Sequence, residues 1–256
     1  MQQPTSFELK DRVAFVTGAS KGIGLAIARG MSEAGANVVI SSRSQQNIDE
    51  AVSTLAADNL HVTGIQCHVG DPTDIDQALA HINASFGKLD IVVNNAATNP
   101  VYGPIQEAGE DAFDKIMHVN VKGPFLICKQ AYPLLQKSEH ASVINISSVE
   151  GIRPGKGLGL YSVSKAALCT LTQVMAKEWG PDGIRVNTIC PGLVKTKFSA
   201  ALWKNEAMMD HINNTLPLGR IAQPEEMTGL AVFLASDAAS YCTGGIYLAD
   251  GGYVIA

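Results

Sequence analysis

Seven short runs rich in β-branched and other apolar residues recur along the chain, with helical patterns between them. They cover residues 12–17, 37–41, 61–66, 89–94, 142–147, 184–189 and 245–249. Several runs are apolar almost throughout, which is typical of strands covered on both faces in a parallel sheet. After the first run, apolar residues at helical spacing form one face from Ile23 to Ala34. The alternation predicts an α/β fold with a doubly wound parallel sheet of about seven strands and helices on both faces.

One segment, residues 196–217, interrupts this alternation. It contains more apolar side chains than an exposed loop needs, namely Phe198, Leu202, Trp203, Met208, Met209 and Leu216. An insertion after a late strand of such a fold covers the carboxyl ends of the sheet, where ligands bind. A helix pair packed on the core is the alternative, and both arrangements can hold together. No repeat, low-complexity tract or linker marks a boundary, so one domain is predicted.

Composition narrows the class of protein. The 256 residues are 46% hydrophobic and 17% charged, which fits a folded domain with a sizeable core. A net charge of -5 without a basic cluster speaks against nucleic-acid binding. The five cysteines are scattered and lack metal-ligand spacing, so no metal site and a reducing compartment are expected. Neither an apolar leader nor a membrane-length apolar stretch is visible, and a cytoplasmic protein with no membrane association is the expectation.

Three glycines follow the first predicted strand in the stretch VTGASKGIG (16–24). Gly18, Gly22 and Gly24 allow a sharp turn and a close approach of the backbone to a ligand. The helix that starts here would offer free N–H groups to a pyrophosphate. A glycine pattern alone is weak evidence, but its position between a strand and a helix strengthens it. The spacing is G-x-x-x-G-x-G, which differs from the common dinucleotide pattern G-x-G-x-x-G.

This spacing, with other motifs along essentially the whole chain, resembles the short-chain dehydrogenase/reductase family. The family motif TGxxxGIG is matched at 17–24, and later matches are NNAA (94–97), HVNVKG (118–123), SS (147–148), YSVSK (161–165), RVNTICPG (185–192) and DGG (250–252). Ala97 departs from the glycine that the family usually has. The resemblance implies a single Rossmann-like domain over 1–256, with a dinucleotide-binding core and a substrate-covering insertion near 196–217. It also implies an oxidoreductase that acts on CH–OH groups.

The end of the second predicted strand bears on the choice of cofactor. An NAD enzyme of this fold places an acidic residue there to bind the ribose 2′-hydroxyl. Ser42 stands at that position, Arg43 follows it, and Lys21 in the glycine loop adds a second positive charge on the same side. With the acid missing, these residues favour NADP(H).

The family pattern assigns the cofactor-binding residues position by position. His68 is included by position only, where the family usually has an aspartate, and the segment from Pro191 is implied to close over the nicotinamide. The full set is Gly18, Ser20, Lys21, Gly22, Ile23, Gly24, Ser42, Arg43, His68, Val69, Asn95, Ala96, Ala97, Tyr161, Lys165, Pro191, Gly192, Val194 and Thr196.

Tyr161 and Lys165 stand four residues apart in GLYSVSKAAL (159–168), so a helix would place both on one face. An alkoxide formed by hydride transfer needs a proton, and a free tyrosine, with a pKa of about 10, is too weak an acid. A nearby cation such as Lys165 would favour the phenolate and lower that pKa. The resemblance implies that Tyr161 is the general acid/base and that Lys165 also holds the nicotinamide ribose.

Two further polar residues complete the catalytic set that the resemblance implies. Ser148 precedes Tyr161 by thirteen residues, the family's spacing for the serine that hydrogen-bonds the carbonyl oxygen, and Ser147 is its competitor. Asn120 lies in a helical pattern, and in the family it kinks the helix and helps to hold a water that links Lys165 to solvent.

The variable segments 150–159 and 196–217 are expected to decide the substrate. The apolar residues of the insertion favour a small, apolar (aliphatic or aromatic) ketone or aldehyde and the matching alcohol. Several stretches look similar to the NADP-dependent retinol dehydrogenase/carbonyl reductase branch. A 3-oxoacyl-carrier-protein reductase is the alternative, for which Lys195, Lys197 and Lys204 would have to receive an acidic carrier. A non-catalytic NADP-binding sensor is a third possibility. A homotetramer is implied by the resemblance.

Overall fold

Parallel strands form the middle layer of the computed structural model, which describes residues 6–256 apart from the side chains of Met208 and His211. The strands are β1 (Val13–Thr17), β2 (Asn37–Ser42), β3 (Val62–Gln66), β4 (Ile91–Asn94), β5 (Ser142–Ile146), β6 (Arg185–Pro191) and β7 (Ile246–Ala249). Their order in the sheet is β3-β2-β1-β4-β5-β6-β7, and each neighbouring pair is parallel. Every residue of β1, β4 and β5 is buried, as the continuous apolar runs predict.

Helices cover both faces of this sheet. They are α1 (Gly22–Glu33), α2 (Gln45–Ala56), α3 (Pro72–Phe86), α4 (Glu110–Met117), α5 (Gly123–Leu135), α6 (Gly159–Trp179), α7 (Ala200–Trp203), α8 (Glu206–Thr215) and α9 (Thr228–Ala235). Side chains of α1, α2 and α9 pack with one face of the sheet, and those of α3, α5 and α6 pack with the other. The predicted doubly wound, Rossmann-like α/β fold is therefore confirmed.

The chain reverses its direction of winding beside β1, and this reversal positions the ligand cleft. From β1 the chain adds β2 and β3 toward one edge of the sheet. It then returns through α3 and places β4 on the opposite side of β1, toward the other edge. The loops after β1 and β4 therefore diverge at the carboxyl edge of the sheet. A crevice at such a point is the usual ligand site of an open parallel α/β sheet.

The insertion 196–217 combines both arrangements that the sequence left open. Its two short helices, α7 and α8, contact each other, and Ile212 and Leu216 turn buried side chains inward. Its first residues run along the ligand crevice, and Phe198 exposes 57% of its surface there. The predicted contribution of Met208 lies outside the described side chains.

Within residues 6–256, every helix is either too short or too polar to cross a lipid bilayer.

Helices α1 and α9 approach each other closely at Gly30. A Cβ atom added at Gly30 would lie 1.9 Å from Cγ2 of Thr228, whose hydroxyl donates a hydrogen bond to the carbonyl of Ala26 at 3.2 Å. A side chain at residue 30 therefore meets a fixed neighbour, and the absence of a Cβ allows the contact that seats α9 on the sheet.

We expect the effect of Gly30→Ala on stability to depend on residue 228. Alone, the substitution gains helix propensity of about 1 kcal/mol but incurs an overpacking cost of about 1–3 kcal/mol. In a Thr228→Ser background the clashing methyl is gone, so the same substitution should stabilise the protein. The free energy of unfolding of the four proteins in denaturant gives the coupling. If the two substitutions change the free energy of unfolding additively, the contact between residues 30 and 228 does not limit the packing of α1 on α9.

Candidate active site

The glycine loop after β1 is held against the loop after β4 by a set of short polar contacts. The hydroxyl of Thr17 accepts hydrogen bonds from the backbone N–H groups of Asn95 at 3.1 Å and Ala96 at 3.2 Å. In return, Nδ2 of Asn95 donates to the carbonyls of Thr17 and Gly18, both at 3.0 Å. A Cβ at Gly24 would lie 2.4 Å from this same amide nitrogen. Gly24 therefore lets α1 approach Asn95.

Gly18 satisfies two constraints at once. Its φ of +61° is in the left-handed region, and an added Cβ would lie 2.7 Å from Cα of Ala96. Only glycine fits there without displacing the loop after β4. The resulting turn leads directly into α1.

The first turn of α1 has the features of an anion site. Lys21 precedes the helix in an extended conformation, and among the described residues no side chain caps the first turn. The first turn also contains no acidic residue. Free N–H groups at a helix start favour a phosphate, so the pyrophosphate of a dinucleotide fits this loop.

A cleft of about 500 Å³ begins at this turn and runs along the carboxyl edge of the sheet. Most of the predicted cofactor-binding residues line it: Gly18, Ser20, Lys21, Gly22, Ile23, Ser42, Arg43, His68, Val69, Asn95, Ala96, Ala97, Lys165 and Thr196. Its length, glycine floor and cationic end suit a dinucleotide. The predicted residues are thus brought together from the ends of β1, β2, β3 and β4 and from α6.

Some predicted cofactor-binding residues do not line the cleft wall itself. Gly24 lies behind it on α1, and Tyr161 stands at its edge beside Phe198. Pro191 ends β6, and Gly192 and Val194 lie on the segment that follows. A Cβ at Gly192 would sit 2.8 Å from Cα of Asp250. Val194 forms a β-bridge with Ala222, so this segment is fixed from behind and brings Thr196 to the cleft.

The cationic end of the cleft is formed by Ser42, Arg43 and Lys21. Arg43 and Lys21 are exposed, and within residues 6–256 neither forms an ion pair. Asn47 adds an amide in the first turn of α2, a contribution that the sequence reasoning missed. The available signal was the acid-free start of α2, where Ser44 accepts a hydrogen bond from the Asn47 backbone at 3.4 Å.

His68 lies in the cleft at the predicted position, but its ring is already engaged. Its Nδ1 accepts a hydrogen bond from the backbone N–H of Gly70 at 3.1 Å, and the backbone N–H of His68 donates to the Asp74 carboxylate at 2.8 Å. The residue therefore shapes the turn after β3.

Tyr161 and Lys165 share one face of α6, as their spacing predicts. The ammonium nitrogen of Lys165 lies 5.6 Å from the centre of the Tyr161 ring and donates a hydrogen bond to the carbonyl of Ile146 at 2.8 Å. Only 2% of Lys165 is exposed, whereas Tyr161 is half-buried. The lysine therefore supports the tyrosine from inside the protein.

The pKa values of these two groups shift toward their neutral forms. Burial raises the pKa of the Tyr161 phenol above its ordinary value. Contact with the Ser148 hydroxyl lowers the phenol pKa, and the charges of Glu150 and Cys190 raise it. Burial also lowers the pKa of Lys165 to about 8. The raised pKa runs against the expectation that a nearby cation lowers it, because loss of hydration around the ring is the largest effect.

The serine pair after β5 divides into two roles. Ser147 is buried and donates a hydrogen bond to the backbone carbonyl of Lys165 at 2.8 Å. Its hydroxyl is therefore occupied by a structural contact with α6. Ser148 contacts the phenol of Tyr161 and caps the following 3₁₀ turn by accepting from the Glu150 N–H at 3.2 Å. Of the two serines, Ser148 is therefore the one whose hydroxyl can reach a bound carbonyl.

Asn120 occupies a π-helical turn, residues 118–122, that joins α4 to α5. Its side chain is fully buried, accepts a hydrogen bond from the N–H of Thr98 at 2.8 Å, and donates to the Thr98 carbonyl and the Ser164 hydroxyl, both at 3.0 Å. The helix distortion that the resemblance implies is present. The amide connects the loop after β4 with α6, one residue before Lys165.

One aromatic side chain of the insertion, Phe198, lines the cleft. The ring of Phe198 lies 6.0 Å from that of Tyr161, and the exposed Tyr102 packs over Gly157. Other residues that line the cleft and were not predicted are Ser44, Cys67, Thr98, Val119, Ile146 and Lys197. Phe198 belonged to the apolar insertion, which was the signal for its position.

Comparisons with known proteins agree with this geometry. A family model described as enoyl-(acyl carrier protein) reductase matches residues 18–254. Dehydrogenase/reductase SDR family member 4 from Sus scrofa is 45% identical over 244 residues, which cover 95% of this chain and 88% of that protein.

Solved structures extend the agreement to the whole fold. A gluconate 5-dehydrogenase from Burkholderia cenocepacia J2315, in complex with NADP and tartrate, superposes with a TM-score of 0.94 at 30% identity and covers 99% of each chain. A short-chain type dehydrogenase/reductase from Mycobacterium marinum gives a TM-score of 0.91 at 33% identity and covers 98% of each chain. Fold, site and relatives all lead to one assignment: the chain belongs to the short-chain dehydrogenase/reductase family.

Proposed function

We propose that this protein is an NADP(H)-dependent oxidoreductase that interconverts a small, apolar ketone or aldehyde and its alcohol, with Tyr161 as general acid/base. The observation that carries the proposal is the contact of Tyr161 with both Ser148 and Lys165, beside the cleft that Lys165 and the glycine loop line. The predicted cofactor, NADP(H), is confirmed by the NADP complexes among the structural relatives.

The division of labour follows from what each side chain can do. When bound, the nicotinamide would supply or accept the hydride. The Ser148 hydroxyl donates a hydrogen bond to the carbonyl oxygen and polarises it. Tyr161 gives its proton to the same oxygen in reduction and takes it back in alcohol oxidation.

Lys165 and Asn120 assist the proton transfer at Tyr161 from the interior of the protein. Lys165 is anchored on the Ile146 carbonyl and has a pKa of about 8, so it can exchange protons near neutral pH. Asn120 fixes Ser164 and Thr98 on either side of this region. We assign it the role of holding the path between Lys165 and solvent open.

An apolar substrate is supported by the mouth of the cleft. Phe198 lines the cleft and exposes 57% of its surface. The exposed Tyr102 and Ile105 follow the cleft-lining residues 95–98 in the chain, and Ile105 packs over Gly159 at the start of α6. Such rings would cover an aliphatic or aromatic group while Ser148 and Tyr161 face its oxygen.

The second candidate is a 3-oxoacyl-carrier-protein reductase. Lys197 at the cleft mouth favours it, since an acidic carrier needs a cation there. Lys195 and Lys204, however, lie over the ring of Trp203, at 5.3 Å and 5.7 Å from its centre. Comparing kcat/KM on an acetoacetyl-carrier protein with that on simple ketones separates the two candidates.

A reducing compartment such as the cytoplasm is part of the proposal. All five cysteines are free, and four of them are buried.

Tyr161→Phe should abolish carbonyl reduction while leaving NADPH binding within a few-fold of the original. Loss of a general acid costs about 10²–10⁴-fold in kcat, because no other group can supply the proton. NADPH oxidation measures the rate, and fluorescence titration of the nucleotide measures binding. Tyr132→Phe, the same chemical change on distant α5, is the matched control. A Tyr161→Phe enzyme with ordinary turnover would overturn the proposed mechanism.

Arg43→Asp should reverse the preference for the 2′-phosphate. The substitution removes an exposed cation at the end of the cleft and adds a repelling carboxylate. We expect the ratio of kcat/KM for NADPH over NADH to fall by about 10²-fold. Lys137→Asp makes the same charge change far from the cleft and should leave the ratio alone. An unchanged ratio in Arg43→Asp would remove this residue from cofactor selection.

The protein should form a tetramer in solution. Apolar side chains on α4, α5 and α6 remain exposed in the single chain, among them Phe113, Phe125, Val163 and Val174. Light scattering is expected to give about four times the 27.0 kDa mass of one chain. A monomer at micromolar concentration would contradict this.

A further inference from the structure

A buried carboxylate lies beside the proposed proton donor and has no role in the mechanism above. Glu150 is 9% exposed and lies in the 3₁₀ turn Val149–Gly151 that follows Ser148. Its Oε2 accepts hydrogen bonds from Ser162 Oγ and from the N–H of Gly155, both at 2.7 Å. Buried acids are usually paired with a base. Within residues 6–256, however, Glu150 forms no ion pair.

These two hydrogen bonds connect a loop to a helix. Gly155 lies in the loop 151–158, which is part of the segment 150–159 that the sequence marks as substrate-determining, and Ser162 is the residue after Tyr161. Loop and helix therefore meet on one carboxylate oxygen. The loop also contacts Tyr102, since Gly157 lies under the Tyr102 ring.

The turn that carries Glu150 packs directly against α6. A Cβ at Gly151 would lie 2.7 Å from the backbone carbon of Lys165. The neighbouring Ser147 is tied to the same residue through its hydrogen bond to the Lys165 carbonyl. The carboxylate is therefore held beside α6 at the level of Tyr161 by packing as well as by hydrogen bonds.

Three elements present charged or titratable groups to Tyr161. Glu150 faces it from the turn after β5, Lys165 from α6 itself, and Cys190 from β6. Of these, the negative charge of Glu150 disfavours the phenolate, and the thiol of Cys190 acts in the same direction. Lys165 opposes them through its ammonium.

We propose that Glu150 is a positioning residue that fixes the loop 151–158 on α6 and, through its charge, disfavours the phenolate form of Tyr161. The second half rests on the proposed function, in which Tyr161 is the acid/base. A protonated Tyr161 is the form that reduces a carbonyl, so the carboxylate biases the enzyme toward reduction. The first half is a property of the folded protein and needs no catalysis.

The charge is tested with Glu150→Gln, which keeps an acceptor for Ser162 and Gly155 but removes the negative charge. Without that charge the phenolate forms more easily, so the pKa of Tyr161 falls. Alcohol oxidation, which needs the phenolate, should then persist to lower pH. We expect the midpoint of its pH profile to move down by about one unit, a tenfold change in the ionisation constant. Glu139→Gln, an exposed acid at the other end of β5, should leave the midpoint in place.

The attachment of the loop is tested with two variants that remove a hydrogen bond. Ser162→Ala keeps the charge but loses one contact, and Glu150→Ala loses both contacts. Trypsin cleavage after the exposed Lys156 should become about fivefold faster in each, as a lost hydrogen bond allows. Glu150→Gln should be cut at the original rate. KM should rise in Ser162→Ala with the pH midpoint unchanged.

Each outcome bears on one half of the proposal. An unmoved pH midpoint in Glu150→Gln overturns the electrostatic role, and unchanged cleavage after Lys156 in both alanine variants overturns the attachment. If Tyr161→Phe is active, the proposed function fails and the electrostatic role with it, but the proteolysis result still decides whether Glu150 holds the loop.

Discussion

The hydrogen bond from the buried Lys165 ammonium to the Ile146 carbonyl fixes the geometry on which the site depends. A buried ammonium must keep its hydrogen-bond partners, because an unpaired one costs several kcal/mol. The bond joins the end of β5 to the first turns of α6, and Ser147 strengthens the junction at the Lys165 carbonyl. Tyr161 and Ser148 extend from the two sides of this junction. Their separation is therefore set by the core rather than by a loop.

The same burial gives the acid/base pair an unusual electrostatic balance. Removal from water pushes Tyr161 and Lys165 toward their neutral forms, one by raising a pKa and the other by lowering it. The side chains of the protein thus resist forming a phenolate beside an ammonium. A positive charge arriving in the cleft would shift this balance toward the phenolate. The protein therefore couples proton transfer at Tyr161 to the charge of whatever occupies the cleft.

The sequence predicted the features that local spacing controls. The apolar runs of β1, β4 and β5 could be assigned because both faces of these strands are covered, and the four-residue spacing of Tyr161 and Lys165 placed both on one helical face. The sign of the phenol pKa was not accessible, because spacing gives the distance to Lys165 but not the loss of water around the ring. The start of α2 and the apolar insertion gave signals for Asn47 and Phe198, whereas the place of Glu150 depends on the path of a turn that only the folded chain defines.

Trp203 gives the entrance of the cleft a spectroscopic property of its own. Its indole N–H donates to the carbonyl of Thr196 at 2.8 Å, and Lys195 and Lys204 lie over its ring. Indole emission responds to nearby cations and to the polarity of its surroundings, so rearrangement of the segment after Thr196 alters the light that Trp203 emits. The second tryptophan, Trp179, packs against Tyr132 at the far end of α6, with ring centres 5.0 Å apart. Trp203 is therefore a natural fluorophore that reports on the segment after Thr196. Trp179, far from this segment, is an internal reference, and no label has to be added.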